Sequence, residues 1–288
     1  MRQADQVRTF LFEGVGVRGR LVRMDQTWRD ILERHDYSED VAGLLGQSAA
    51  AGVLLADNLK GRGSVHLQIQ GERDVRMLLV QCDSGLNVRA LARGESASAS
   101  GSMRELLGEG RMMVTVDPGP RQDRYQGIVP LAGDTLAESL EGYFRDSEQL
   151  LTRLWLGVIG GSAVGLMLQR MPDAGIAEDD WDTLGILADT VNLEELAELS
   201  TGDLLRRLFS GYDIRLFEAR TVGYDCRCNN EHLDHVIRLL GEQEVESILR
   251  EQGRLELNCE FCNKSFCFAP EQARQALDDG EGDAPTMH

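Results

Sequence analysis

The chain has 288 residues, 42% of them hydrophobic, with a formal net charge of −18 at pH 7 and six cysteines. That length is long for one core and comfortable for two or three units, and the acid excess disfavours binding to phosphate backbones, which is driven by Lys and Arg. No apolar run approaches the roughly 18 to 20 residues of a membrane span, and the N-terminal MRQADQVRTF lacks the apolar stretch of a signal peptide, so a cytoplasmic protein with no membrane or nucleic-acid partner is expected.

Residues 7–24, VRTFLFEGVGVRGRLVRM, read as strand, turn and strand. They contain a formal G-x-G-x-x-G at Gly14 to Gly19, but the following Arg20-Leu21-Val22-Arg23-Met24 still alternates like a strand. A dinucleotide site needs a helix to open there, so the glycines are assigned to a hairpin turn. Asp36-Tyr37-Ser38-Glu39 has capping-box spacing and precedes VAGLLGQSAAAGVLLADNL, whose small residues predict a buried helix packed closely on a sheet. Alternating segments at 65–70, 75–82 and 86–92 predict an antiparallel meander, with Cys82 as a small buried thiol at the end of a strand. Glu95 to Gly101 is a loop, strands resume at 112–116 and 125–129, and Asp134 is expected to cap a helix reaching about Phe144. Two more strands, 154–159 and 163–169, flank Gly160-Gly161. No Ser, His and acid arrangement points to hydrolysis, since Gly161-Ser162-Ala163-Val164 lacks the second glycine of a nucleophile elbow.

Beyond Met171-Pro172 the composition shifts. Residues 1–171 carry 22 acidic and 20 basic side chains, 172–220 carry 12 and 4, and 221–288 carry 14 and 6. The middle stretch reads as three short amphipathic helices: Trp181, Leu184 and Leu187 share one face, Asn192 to Glu195 forms a capping box ahead of Leu196 and Leu199, and Leu204, Leu205, Leu208 and Phe209 form a third stripe. Helices this short need a surface to lie on, either as ordinary parts of the core or as a conditional cover over an apolar sheet.

Five of the six cysteines fall within 226–267. Cys226-Arg227-Cys228 is followed, after thirty residues, by Cys259-Glu260-Phe261-Cys262. Two close thiol pairs this far apart suit a tetrahedral metal ion, with zinc expected. In a reducing compartment such pairs mean metal or redox chemistry more often than structural disulfides. A four-thiolate zinc site has no open position to activate water, so its role is structural or lies in the oxidisable sulfurs. His232 and His235, at i and i+3 just after Cys228, offer a rival Cys2His2 set, although their acidic neighbours Glu231 and Asp234 favour a solvated helix face. Cys267 is either a spare thiol packed on the knuckle or a resolving thiol. Around these ligands, two helical faces end at Gly241 and Gly253, a small hairpin follows, and the tail from Asp278 is expected to be disordered.

The motif Cys226-x-Cys228, thirty residues, Cys259-Glu-Phe-Cys262-Asn-Lys, preceded by GEQEVESILREQGRLEL, closely resembles the Hsp33 family of redox-regulated chaperones. The cysteine motif is highly specific and the N-terminal likeness looser. The resemblance implies an α+β fold with an N-terminal core (1–172) of mixed β-sheet packed with helices. A helical linker (173–225) and a small C-terminal zinc-binding redox domain (226–288) would complete it. It implies one zinc ion on Cys226, Cys228, Cys259 and Cys262, and on oxidation the disulfides Cys226–Cys228 and Cys259–Cys262. It further implies an ATP-independent holdase for unfolding client proteins, not an enzyme, which dimerises when activated. Asn229-Asn230 and the additional Cys267 depart from the family pattern without removing a ligand, and Cys267 leaves the disulfide partnering open. A thiol-disulfide oxidoreductase is the rival from another class, and a zinc-ribbon nucleic-acid binder is disfavoured by charge. The physics agrees with the family: a structural zinc site is worth on the order of 10 to 16 kcal/mol, comparable to the stability of a whole domain, about 5 to 15 kcal/mol.

Overall fold

The computed structural model describes residues 5–59, 61–119, 122–172, 178–226, 228 and 230–278. Compactness divides the chain into Met1–Asp225 and Cys226–His288.

The first unit begins with β1 (Gln6–Phe12) and β2 (Val17–Met24), an antiparallel pair. Gly14 and Gly16 in the turn have φ of 75° and 69°, a left-handed conformation that an L side chain resists; the glycine pattern serves the hairpin and no helix opens there. A short α1 (Gln26–Leu32), with no counterpart in the sequence reading, precedes α2 (Glu39–Ala56). The cap of α2 is Ser38, whose side chain accepts the Val41 N–H, and not Asp36, because the first turn starts two residues later than the acidic spacing indicates. Twelve of the eighteen residues of α2 are buried, seven of them Gly, Ala or Ser, so the helix sits close to strands on either side of it.

The meander forms as β3 (Ser64–Gln70), β4 (Val75–Asp83) and β5 (Asn87–Gly94). After α3 (Met103–Leu107), β6 (Arg111–Asp117) and β7 (Tyr125–Pro130) extend that sheet. Next comes α4 (Leu136–Tyr143), capped by Thr135 and not Asp134: the Thr135 hydroxyl accepts the Glu138 N–H, while the Glu138 carboxylate reaches back to the Thr135 N–H. A π-helical turn, Phe144–Glu148, leads into β8 (Thr152–Ile159) and β9 (Ser162–Arg170). The three amphipathic segments are α5 (Glu178–Ala188), α6 (Leu193–Glu198) and α7 (Thr201–Leu208), and the Asn192–Glu195 capping box is present in both directions. The unit closes with β10 (Ile214–Thr221) and β11 (Gly223–Tyr224), which the sequence reading did not assign.

Two sheets result, one ordered β10-β1-β2-β9-β8 and one ordered β11-β5-β4-β3-β6-β7. The main core lies around α2 and takes in Trp28, Leu45, Leu54, Leu67, Ile69 and Tyr143. A second core lies on the other face of the five-stranded sheet: Phe10, Phe12, Leu21, Val164, Leu166 and Leu168 from the strands meet Trp181, Leu184, Leu196, Leu204, Leu208 and Phe209 from α5–α7 and the turn that follows. These helices therefore cover an apolar sheet face and belong to the same compact unit as the sheet. Strand β10 is tied down through Asp57 at the end of α2, which accepts from Thr9 Oγ1 at 2.8 Å and Arg220 Nη1 at 2.7 Å and forms an ion pair with Arg20 Nε at 3.3 Å. Burial pushes the Arg20 guanidinium down to about 10, against the pull of Asp57.

The second unit contains α8 (Asn230–Leu240), α9 (Glu242–Gln252), the hairpin β12 (Leu255–Asn258) and β13 (Ser265–Phe268), and α10 (Pro270–Asp278). Its apolar core is small: Ile237, Val245, Leu249, Leu255, Ala273 and Ala276. The tail beyond Asp278, expected to be disordered, lies outside the described residues.

Candidate metal centre

Two backbone features bring the thiol pairs together. Cys226 and Cys228 lie on the segment entering α8, while Cys259 and Cys262 lie in the turn between β12 and β13. In that turn the Cys259 N–H donates to the Lys264 carbonyl at 2.9 Å and the Asn263 N–H donates to the Cys259 carbonyl at 2.7 Å. Asn263 adopts φ of 55°, a left-handed conformation that Asn tolerates better than most residues. The turn places Cys259 and Cys262 on one concave side, the arrangement of a zinc knuckle.

The sulfurs of Cys226, Cys228, Cys259 and Cys262 all lie within 4.8 Å of one another. Cys226 Sγ is 3.5 Å from Cys259 Sγ, and Cys228 Sγ is 3.3 Å from Cys262 Sγ. A tetrahedral ion with metal–sulfur bonds of about 2.3 Å separates its ligands by roughly 3.8 Å, so four ligands at this spacing fit one ion without rearranging the chain. Cys262 is buried and the other three are half-buried.

Burial raises the Cys226 thiol, and the neighbouring Cys259 thiol adds to the shift. Cys228 is raised further, again first by burial and then by its contacts with Cys262 and Cys226. Cys259 moves the other way: burial opposes ionisation, but the backbone N–H groups of Cys262 and Phe261 and the surrounding thiols favour its thiolate. Without a cation, four sulfurs this close resist sharing negative charge. A divalent ion resolves that conflict by taking all four as thiolates.

The other candidates fall elsewhere. His235 is exposed, no imidazole joins the sulfur cluster among the described residues, and the side chain of His232 lies outside them. Cys267 is exposed on β13 opposite Glu256 of β12 and is not in the cluster. Cys82 is 1% exposed, with its Sγ 3.6 Å from the Asp83 carbonyl, and is the small core thiol expected of a strand end.

The Hsp33 protein family model matches residues 5–269, which includes all four clustered cysteines. The chain belongs to the Hsp33 family. A 33 kDa chaperonin of Methylobacillus flagellatus is 39% identical over 278 residues, covering 96% of this chain and 95% of that one. A 33 kDa chaperonin of Nitrosococcus oceani is 41% identical over 268 residues, covering 93% and 92%. Among solved structures, the crystal structure of the Thermotoga maritima 33 kDa chaperonin, a heat shock protein 33 homologue, superimposes with a TM-score of 0.84. That match covers 97% of this chain and all of that one at 22% identity, a likeness of fold. The Hsp33 fold in this chain contains no helix among the described residues long and apolar enough to cross a membrane.

Sequence reasoning located the cysteines but missed the arginines against which the helical segment sits. Buried Arg23 of β2 donates to the Leu196 carbonyl, and half-buried Arg153 of β8 pairs with the exposed Asp189 between α5 and α6. In the sequence both arginines look like ordinary polar positions of a strand.

Proposed function

We propose that this Hsp33 protein is a cytoplasmic, redox-regulated, ATP-independent holdase, inactive when reduced and metal-bound and active when oxidised. The observation that carries this reading is the convergence of four thiols in a unit whose apolar cluster, among the described residues, has six buried members, two of them alanine. In the reduced state Cys226, Cys228, Cys259 and Cys262 would hold one zinc ion, which supplies a cross-link between the segment before α8 and the β12–β13 turn.

Oxidation is proposed to join Cys226 to Cys228 and Cys259 to Cys262. In each pair one S–S bond forms as two thiolates give up two electrons, and a peroxide takes those electrons with two protons from solvent, its O–O bond breaking to give two waters; the metal ion is released. A ring closed by C-x-C is small and strained, which favours re-reduction and makes the change reversible. Disulfide sulfurs are poor metal ligands, so oxidation removes the cross-link on which the second unit depends. Its unfolding, followed by release of α5–α7, would free the apolar face formed by Phe10, Leu21, Leu166 and their neighbours to hold unfolding clients. The active form is proposed to be a homodimer.

Light scattering of a heat-denatured client, with metal release followed in parallel, tests this. Reduced protein should leave aggregation unchanged, and peroxide-treated protein should suppress it stoichiometrically as about one metal ion per chain is released. Catalytic turnover of dithiol substrates without aggregation suppression would instead assign a thiol oxidoreductase.

A further inference from the structure

The sheet face beneath α6 is shaped for a particular kind of segment. On β8, Trp155 and Ile159 turn toward the helices while Leu154, Leu156 and Val158 turn toward the main core. Gly157 lies on the helix side, and a Cβ added there would overlap the side chain of Leu193, so the missing side chain forms a socket that a leucine fills. One turn further along α6, Leu196 is fully buried on the same face.

Polar groups frame this apolar floor. Asp189, between α5 and α6, accepts from Trp155 Nε1 at 3.1 Å and from Arg153 Nη1 at 3.3 Å. On β2, Arg23 is only 3% exposed, and its Nε donates to the backbone carbonyl of Leu196. The Nη2 atom of Arg23 is buried without a hydrogen-bond partner among the described residues. Burial also lowers the guanidinium from its usual value. A buried donor left unsatisfied is costly, so the native cover uses the hydrogen-bonding capacity of this arginine incompletely.

We propose that this face is a binding site for an acidic amphipathic helical segment of a client protein, occupied in the covered state by the chain's own residues Asp189 to Glu198. The recognised pattern is a carboxylate followed after four residues by a leucine, with a second leucine three residues later. Arg153 and Trp155 take the carboxylate, the Gly157 socket takes the first leucine, and Arg23 takes a carbonyl or carboxylate at the end of the turn. The Asp189 carboxylate is then part of the fit, since the covered face supplies the Arg153 cation. This inference rests on the holdase reading, because the site opens only when the cover lifts.

The test uses the full chain and a fluorescently labelled peptide of residues 188–200, ADTVNLEELAELS. Fluorescence anisotropy should show saturable binding to the oxidised protein and at least tenfold weaker binding to the reduced, metal-loaded protein. Replacing Leu193 or Leu196 of the peptide by Ala should weaken binding about tenfold. Asp189→Asn in the peptide and Arg153→Met in the protein should each weaken it, and the two together should cost no more than one. Gly157→Ala should abolish the leucine contact; should that variant fail to fold, the peptide substitutions probe the same contacts in unaltered protein. Equal binding to reduced protein, or binding indifferent to these substitutions, overturns the site. A wild-type oxidised protein that binds the peptide as described yet fails to suppress aggregation would sink the holdase reading and leave the site standing.

Discussion

The unit ending at Asp225 buries two apolar clusters on the two faces of its five-stranded sheet, with Trp28, Phe10, Phe12, Phe209 and Tyr143 among the buried side chains. Among the described residues, the unit beginning at Cys226 has six buried residues in its cluster, with Phe268 only partly buried against it. Apolar burial contributes about 25 cal/mol per Å², and a segment of some sixty residues sits near the lower limit of what a core alone can stabilise. The first unit is held by packing, whereas the second, on the function proposed above, depends on an ion joining its four sulfurs. A switch can thus be placed in one part of the chain without endangering the rest, provided that the two parts differ this much in what holds them.

Loss of a sulfur ligand or of the metal should affect the two units most unequally. Cys262→Ser, or chelation of the reduced wild type, should remove stabilisation on the order of 10 kcal/mol from the second unit. Calorimetry should lose the transition of the second unit and keep a transition from the packed sheets of the first. A core truncation sharpens the contrast at smaller scale. Ile237→Ala and Leu54→Ala each cost about 2 to 5 kcal/mol locally, but only Ile237→Ala should weaken metal affinity, as read by competition with a chromophoric chelator. Only Leu54→Ala should lower the transition of the first unit.

A milder change tests the cover. Asn192→Ala removes the side-chain cap of α6, worth about 1 kcal/mol, without touching either apolar cluster. The reduced protein should show faster amide exchange across α6 and require less peroxide for activation. The smallest effect is expected at Cys267. This exposed thiol lies outside the sulfur cluster, so Cys267→Ser should change stability by no more than about 0.5 kcal/mol and leave metal stoichiometry and activation intact. Failure to activate would show that Cys267 enters the disulfide scheme.

The site was legible because ligand chemistry is written in spacing: C-x-C and C-x-x-C each present two sulfurs from a few residues, whatever the surrounding fold. The meander and the three amphipathic helices were legible for a similar reason, since their apolar periods match strand and helix directly. Other elements were less visible. Strand β10 carries Arg215, Glu218 and Arg220 and is mostly exposed, and it is a strand because β1 offers it a pairing edge, a tertiary cause with little local trace. The caps at Ser38 and Thr135 were displaced by two residues and one from the acidic residues first read as caps, because several Ser, Thr and Asp neighbours compete for that position. Arg23 and Arg153 look like ordinary polar positions of alternating strands, and only the placement of α6 and Asp189 reveals what they hold.

On the proposed mechanism, metal loss propagates from the sulfur cluster to the helical cover while the packed sheets persist. Amide hydrogen exchange on the full chain, reduced and then peroxide-treated, tests it most directly. Oxidation should raise exchange steeply in residues 178–208 and 226–278, while β1 to β9 keep their protection and a dye for apolar surface binds in parallel. Exchange that rises only within 226–278, with client aggregation still suppressed, would contradict the account and place the client surface away from the covered sheet.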